Sequence, residues 1–368
     1  MRLSNIRKIH LVGDLHFGLR NNSIEWLDIT KNYLQQFLIS PDVDSDRDIL
    51  ILEGDVFHSR ESVNVRIQNE AYEIFTLLAK KFKRGIFIII GNHDTYYKDK
   101  NEVHSLKSIA NLACNIHVFE NPEILTINDS HSFLMLPWVE DIQKLNTIIA
   151  ENKGLCSYII CHADIKSFHF NKWVKVEHGL DPGSLADYAR VYSGHIHHRQ
   201  EKDNILYTGA PYQMDRGDIG NVKGHYQLHV EGSEVIEIFI KNKVSPIFIK
   251  VDIFELLEMS VDGICNMFNN NFIDIMINVN FANKIAIPRF LEELLNSAHR
   301  RIEFFTYAEP TKSEMVVDSE FNPDDGFNIT DIFKMYLKSK DYPKDFKHAL
   351  AKKFIDVHQK VKDEKTYA

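Results

Sequence analysis

Five short polar clusters carry the residues of this chain that could do chemistry. They are Asp14-Leu15-His16, Gly54-Asp55-Val56-Phe57-His58, Gly91-Asn92-His93-Asp94, Cys161-His162 and Gly194-His195-Ile196-His197, and each comes after an apolar run. Aspartate, asparagine and histidine together suit pairs of borderline divalent metals, and the number of imidazoles favours manganese or a similar transition metal over magnesium or calcium. Such a pair activates a water and holds phosphate oxygens during in-line displacement. The set therefore points to metal-assisted phosphoester hydrolysis. Asp55 is the natural bridging ligand, because one carboxylate can hold two cations. Side chains two apart on extended backbone share a side, which would put Asp14 with His16, and His195 with His197, on one site. Asn92 and His93 are adjacent and should diverge, one binding metal while the other reaches toward substrate. His58, three residues after Asp55, orients either the phosphate or a ligand. Taken singly, an Asp-x-His or Gly-Asp pair is usually a turn or a surface pair; the order of all five clusters, each at the end of an apolar run, carries the reading. Cys161 is not expected to touch metal, since a soft thiolate is a poor companion for this set. The remaining histidines are assigned to core or surface.

Residues spread from Asp14 to His197 converge only if strand ends converge. Ile6 to Val12, Asp48 to Leu52, Ile86 to Ile90 and Ser157 to Cys161 read as strands. Ile24 to Leu38, Val65 to Phe82 and Val103 to Leu112 read as helices, the second from the spacing of Ile67, Ala71, Ile74, Phe75 and Leu78, with Gly85 ending it. Strand–helix alternation with continuously apolar strands predicts an α/β layered domain, whose sites lie beyond the carboxyl ends of the strands. Asp14, Asp55, Asn92 and His162 all stand there.

Beyond Asp187 the strands shorten: Val191 to Ser193, Ile205 to Thr208, Tyr226 to Val230 and Val235 to Ile240, expected to close a sandwich. Near Ser245-Pro246 a new unit begins, with strand Ile247 to Val251, helix Val261 to Phe268, strand Phe272 to Val279 and helix Arg289 to Arg300. Residues 309–327 hold six acidic side chains against Lys312, together with Pro310, Pro323 and Gly326, and read as a linker. Two amphipathic helices are expected after it, Ile329 to Ser339 and Pro343 to Lys362. Their apolar stripes need a surface to dock on, either their own chain or, the preferred reading, a partner protein. The predicted division is thus 1–244 for the catalytic domain, 245–308 for a small α/β capping domain, 309–327 for the linker and 328–368 for the helical tail.

The chain has 368 residues, 44% hydrophobic and 26% charged, enough for a large domain and a smaller one. A net charge of −9 argues against a protein that coats nucleic acid non-specifically. It does not exclude a nucleic-acid substrate, because bound cations supply positive charge where the phosphate sits. The four cysteines show no CxxC spacing and are expected to be reduced. Ile86 to Ile90 is far too short to span a bilayer, and the first residues lack an apolar signal core. A cytoplasmic protein is expected.

Asp14-x-His16, Gly54-Asp55, Gly91-Asn92-His93-Asp94, His162 and Gly194-His195-x-His197 resemble the calcineurin-like metallophosphoesterase superfamily, over roughly Ile6 to Ile240. Within it the chain resembles the nuclease subunits of SbcCD-type recombination and double-strand-break repair complexes, most of all their phage form. Three features carry that narrower likeness: the His of Gly54-Asp55-Val56-Phe57-His58, the segment Tyr207-Thr208-Gly209-Ala210-Pro211 with Asp215 to Gly217, and a small cap succeeded by a helical tail. The resemblance implies a layered α-β-β-α sandwich. It implies two manganese ions, one held by Asp14, His16 and His197, the other by Asn92, His162 and His195, with Asp55 between them. His93 would stabilise the transition state or protonate the leaving oxygen, and His58 would assist phosphate positioning. It further implies DNA exo- and endonuclease activity, a homodimer formed through helices of the nuclease domain such as Val65 to Phe82, and docking of the tail on the coiled-coil base of an ABC-type ATPase. The competing reading is a stand-alone phosphodiesterase of small molecules such as cyclic nucleotides. Such an enzyme has no need of a cap, an acidic linker and a helical pair beyond Ser245.

Overall fold

The computed structural model describes residues 1–171, 174–279 and 300–307, with positions 293, 337, 343, 347, 348 and 350–354. The strands are β1 (Arg2–Leu3), β2 (Lys8–Val12), β3 (Asp48–Leu52), β4 (Ile86–Ile89), β5 (Ile116–Phe119), β6 (Glu123–Ile127), β7 (His131–Leu136), β8 (Tyr158–His162), β9 (Arg190–Gly194), β10 (Gln200–Lys202), β11 (Ile205–Tyr207), β12 (Gly224–His229), β13 (Ile236–Lys241), β14 (Phe248–Asp252), β15 (Phe272–Asn278) and β16 (Ile302–Tyr307). The helices are α1 (Leu19–Asn22), α2 (Ile24–Ile39), α3 (Val65–Lys81), α4 (Lys107–Ala110), α5 (Ile142–Asn152), α6 (Ile253–Glu258) and α7 (Val261–Phe268).

Two sheets stack face to face. The first runs β13-β12-β2-β3-β4-β5, with β2 to β5 parallel; the second runs β1-β6-β7-β8-β9-β11-β10. The period-2 alternation of strand side chains builds both faces at once. Ile49 and Ile51 of β3 enter the core between the sheets with Ile9, Phe87, Phe133 and Tyr192, whereas Leu50 and Leu52 meet α2 and α3 through Phe37, Ile74 and Phe75. On the outer face of the second sheet, Leu134, Ile159 and Val191 pack with Leu145 and Ile149 of α5. The layers are α-β-β-α.

Several sequence expectations change in this frame. The second sheet takes β1 and β6 to β8, all before Asp187, and β12 and β13 return to the first sheet, β12 lying antiparallel to β2. α3 is capped by Phe82, three residues ahead of Gly85. Of the helix expected over Val103 to Leu112 only the single turn α4 forms. β5, β6, β7, α5, α6 and β16 add to the elements expected from the sequence.

A third sheet, β14-β15-β16, is all parallel and has its own core of Val251, Ile253, Leu256, Ile264, Phe268, Ile273 and Ile275. It docks on α2, where Trp26 stacks on Phe248 (6.3 Å) and Phe272 (5.7 Å). Arg216 grips the same face of β15, bound to Asp274 at 2.5 and 2.8 Å. The expected linker 309–327, the helix Ile329 to Ser339 apart from the buried Leu337, most of Arg289 to Arg300 and the end of the last helix lie outside the described residues; 347, 348 and 350–354 are helical.

Candidate metal centre

All nine residues singled out from the sequence meet at one end of the sandwich. The chain leaves β2, β3 and β9 through left-handed residues rather than extended ones: Asp14 (φ 44°), His16 (φ 50°), Asp55 (φ 50°) and His195 (φ 82°). The expectation that Asp14 and His16 share a side because the backbone is extended is therefore corrected. They converge because the chain turns sharply after each strand. Non-glycine residues hold such conformations only where the surroundings over-determine them, and they concentrate at functional sites. Here the surroundings are the neighbouring loops: the His16 amide donates to the Asp55 carbonyl (2.9 Å) and the His58 amide to that of Phe17 (2.9 Å). Close approach also requires glycine. A Cβ at Gly91 would lie 2.2 Å from Asp55 Oδ1, and one at Gly54 would lie 2.6 Å from His162 Nδ1.

Three groups of ligand atoms result, each within 4.8 Å: Asp14, His16 and His197; Asp55, His162 and His195; and, sharing His16, the set His16, His58 and His93. The first two bring together the residues expected to hold metal. Asn92 joins the second, its Oδ1 standing 2.9 Å from His162 Nε2 and 3.0 Å from His195 Nδ1. Asp55 lies between the groups, with Oδ2 3.6 Å from His16 Nε2 and 3.4 Å from His162 Nε2. His58 and His93 stack at 5.5 Å on the open side of His16.

The polar accounting fits cations. Asp14 is fully buried; its Oδ1 accepts from the His195 amide (2.9 Å), while Oδ2 has no protein partner. A buried, unpaired carboxylate oxygen carries a large desolvation cost that a cation would remove. Nε2 of His16 and of His197 approach to 3.0 Å. Burial holds both imidazoles below the ordinary histidine range, which favours the neutral form that can ligate a metal. Burial would push Asp55 up, yet His162, His16 and His93 hold its carboxyl well below the carboxylate range. In return, the Asp55 charge outweighs burial and pushes His162 up to about 9.

Outer contacts fix which ring nitrogen faces inward, as in metal sites whose ligating imidazoles donate their other N–H to a carbonyl or carboxylate. His162 Nδ1 donates to the Glu53 carbonyl (2.7 Å), leaving Nε2 toward Asp55. His195 Nε2 donates to Asp164 Oδ1 (2.9 Å), leaving Nδ1 toward Asn92. His93 Nδ1 donates to the His58 carbonyl (2.6 Å), so its Nε2 is the free nitrogen. Asp94 is buried and binds the amides of Phe57 (3.0 Å) and Gly91 (3.0 Å), clamping the β3 and β4 loops together; burial pushes it up to about 7.

Sequence reasoning misses Asp164, Arg60 and Lys223. Arg60 donates to the Asn92 carbonyl (2.6 Å) and Lys223 to the His197 carbonyl (2.5 Å). Asp164 had a readable signal, standing two residues after His162 at a strand end; the other two act through backbone carbonyls and leave no motif. Cys161 points away, its thiol donating to the Tyr192 carbonyl (3.5 Å), and burial pushes that thiol up to about 12.

The arrangement is also recognisable by comparison. The family model of calcineurin-like phosphoesterases matches residues 7–241. The chain is 28% identical over 276 residues to exonuclease subunit 1 of Enterobacteria phage T4, covering 72% of this chain and 78% of that protein. It is 26% identical over 226 residues to a protein described as phosphoesterase 244L of Invertebrate iridescent virus 6, covering 57% and 72%.

Proposed function

The chain belongs to the calcineurin-like phosphoesterases, and from that premise we propose that it is the nuclease subunit of a DNA end-processing assembly, dependent on two divalent metals, best satisfied by manganese. The observation that carries the metal assignment is Asp55, set between two ligand groups with an unpaired Asp14 oxygen beside it. Asp14, His16 and His197 would hold one ion and Asn92, His162 and His195 the other, with Asp55 shared. When bound, the pair supplies a nucleophile at neutral pH and charge for the phosphate oxygens.

The protein's own part is positioning. With the ions bound and the His162 proton displaced, Asp164 and the Glu53 carbonyl would leave one lone pair each of His195 and His162 facing the site. His93 Nε2, its other nitrogen tied to the His58 carbonyl, would hold the proton for the departing oxygen. His58 stands at Nδ1 of His16 (3.2 Å), where it can orient that ligand and reach a phosphate.

The T4 relative is described as one subunit of an exonuclease, which supports a DNA substrate and a partner for this chain too. In our reading 1–244 is the nuclease domain, 245–308 a cap, 309–327 a linker and 328–368 the segment that binds a coiled-coil ABC-type ATPase, with homodimerisation and a cytoplasmic location. Among the described residues no helix is long and apolar enough to cross a membrane. The deciding experiment is digestion in manganese of linear duplex DNA, single-stranded DNA and a cyclic nucleotide. Cleavage of the cyclic nucleotide alone would replace the nuclease reading with a small-molecule phosphodiesterase.

A further inference from the structure

Beside the metal centre lies a cleft of about 540 Å³ that opens on His195 and His197, within the range of nucleotide-sized ligand sites. One wall is the arm that leaves β8. It is anchored by Phe168, buried against Tyr207 (4.9 Å), and by Gln200, whose side chain accepts from the His169 amide (3.0 Å) and donates to its carbonyl (2.6 Å). This double clamp sets the next residue, Phe170, over the cleft. Its ring meets His195 nearly perpendicularly (5.9 Å, 77°) and remains 40% exposed, with no other ring contact among the described residues.

The opposite side holds Arg20. It sits in a left-handed run, Arg20 (φ 54°), Asn21 (φ 56°) and Asn22 (φ 62°). That conformation is ordinary for asparagine and disfavoured for arginine. Arg20 donates to the Met214 carbonyl (3.1 Å) and lies within electrostatic reach of His58. Of the other charges of the cleft, Arg216 binds Asp274 and Asp218 binds Lys223, while Asp215 accepts from the Gly217 amide. Arg20 has no carboxylate partner among the described residues.

We propose that Phe170 and Arg20 form a strand-holding subsite, in which Phe170 stacks an unpaired nucleobase next to the scissile phosphate and Arg20 pairs with a neighbouring phosphate. An aromatic face binds any base but needs it unpaired, since a base inside a duplex has both faces occupied. The subsite therefore selects a single strand, or a frayed end, at the point of cleavage. It rests on the nuclease reading and deepens it.

The test is steady-state cleavage by the full chain in manganese of a single-stranded deoxyoligonucleotide and of an equally long strand of abasic tetrahydrofuran units. Phe170→Ala should raise KM for the base-bearing strand roughly 5- to 150-fold. The ratio of kcat/KM between the two strands should fall by a similar factor and recover in Phe170→Trp. Arg20→Gln should weaken binding of both strands and flatten its salt dependence. The subsite is wrong if Phe170→Ala lowers both strands equally, as a mere cover for His195 would, or changes neither. If the wild-type chain cleaves neither strand yet hydrolyses bis(p-nitrophenyl) phosphate, the nuclease reading itself falls, and the subsite with it.

Discussion

His93 and Asp164 show how one atom separates the roles of residues around a single centre. His93 lies beside Asn92 in sequence, but its Nδ1 is committed to the His58 carbonyl and its ring stands against His16 (5.0 Å), outside the second ligand group. His93→Ala should retain both metals and lose about 10²- to 10⁴-fold in cleavage rate, the usual worth of a positioned proton donor. Metal content and single-turnover rate measured on one preparation would check this, and wild-type cleavage would end the assignment. Asp164 acts through His195. Asp164→Asn preserves shape but presents the wrong hydrogen-bond pattern to His195 in half of its orientations. Manganese affinity at the second group should drop about 10- to 100-fold, while the group of Asp14, His16 and His197 should keep its affinity. Calorimetric titration resolves the two, and equal weakening of both would refute a local role.

At the scale of elements, α2 packs directly on the first sheet. Its inner face brings Tyr33 and Phe37 onto His10 and His225, two imidazoles buried behind the strands, with Tyr33 Oη donating to His225 Nδ1 (3.0 Å). Burial, the dominant influence, pulls His225 down to about 3 and lowers His10 as well. The ordinary histidine value is about 6.5, so the folded state takes up the proton later than the unfolded chain. Linkage gives the sign: this contribution is complete above about pH 6.5 and is lost as pH falls toward 3. His225→Phe should cost about 1–3 kcal/mol at pH 7, because the Tyr33 hydroxyl loses its partner. It should also flatten the acid limb of the stability curve. Denaturant midpoints at pH 7, 6 and 5 test it; an unchanged slope would place the acid sensitivity elsewhere.

At the scale of the whole molecule, the three-stranded sheet is tied to the phosphoesterase layers by the stacked Trp26, the bidentate Arg216, an Arg300–Glu25 ion pair (2.8 Å) and the Phe248 amide donating to Gln213 Oε1 (2.7 Å). Trp26 is 6% exposed between the two units. Trp26→Ala should destabilise the docked arrangement by about 3–5 kcal/mol. Proteolysis should then become faster in the connection 242–247, which resistance equal to wild type would contradict. Arg216 makes a second tie and also lines the cleft beside His195 and His197, so the position of this sheet bears on that wall.

The local sequence determined a good deal. Asp48–Leu52 and Val65–Lys81 could be read almost to the residue, because a continuous aliphatic run and a 3.6-residue apolar period each have one stable outcome. Asp14, Asp55, Asn92, His162 and His195 could be chosen because few residue types serve a metal pair. What escaped was non-local. β6 and β7 carry Glu123, Thr126, His131 and Ser132 among their apolar residues, which blurs their pattern, and beyond their own hairpin β7 is fixed as a strand by lying against β8. Convergence of Asp14 with His16 depends on left-handed turns held by hydrogen bonds from another loop. The tautomers of His162 and His195 are set by a carbonyl from β3's end and a carboxylate beyond β8. Residue type alone determines which atoms can bind a cation; only packing decides which nitrogen faces it, because that choice belongs to partners distant along the chain.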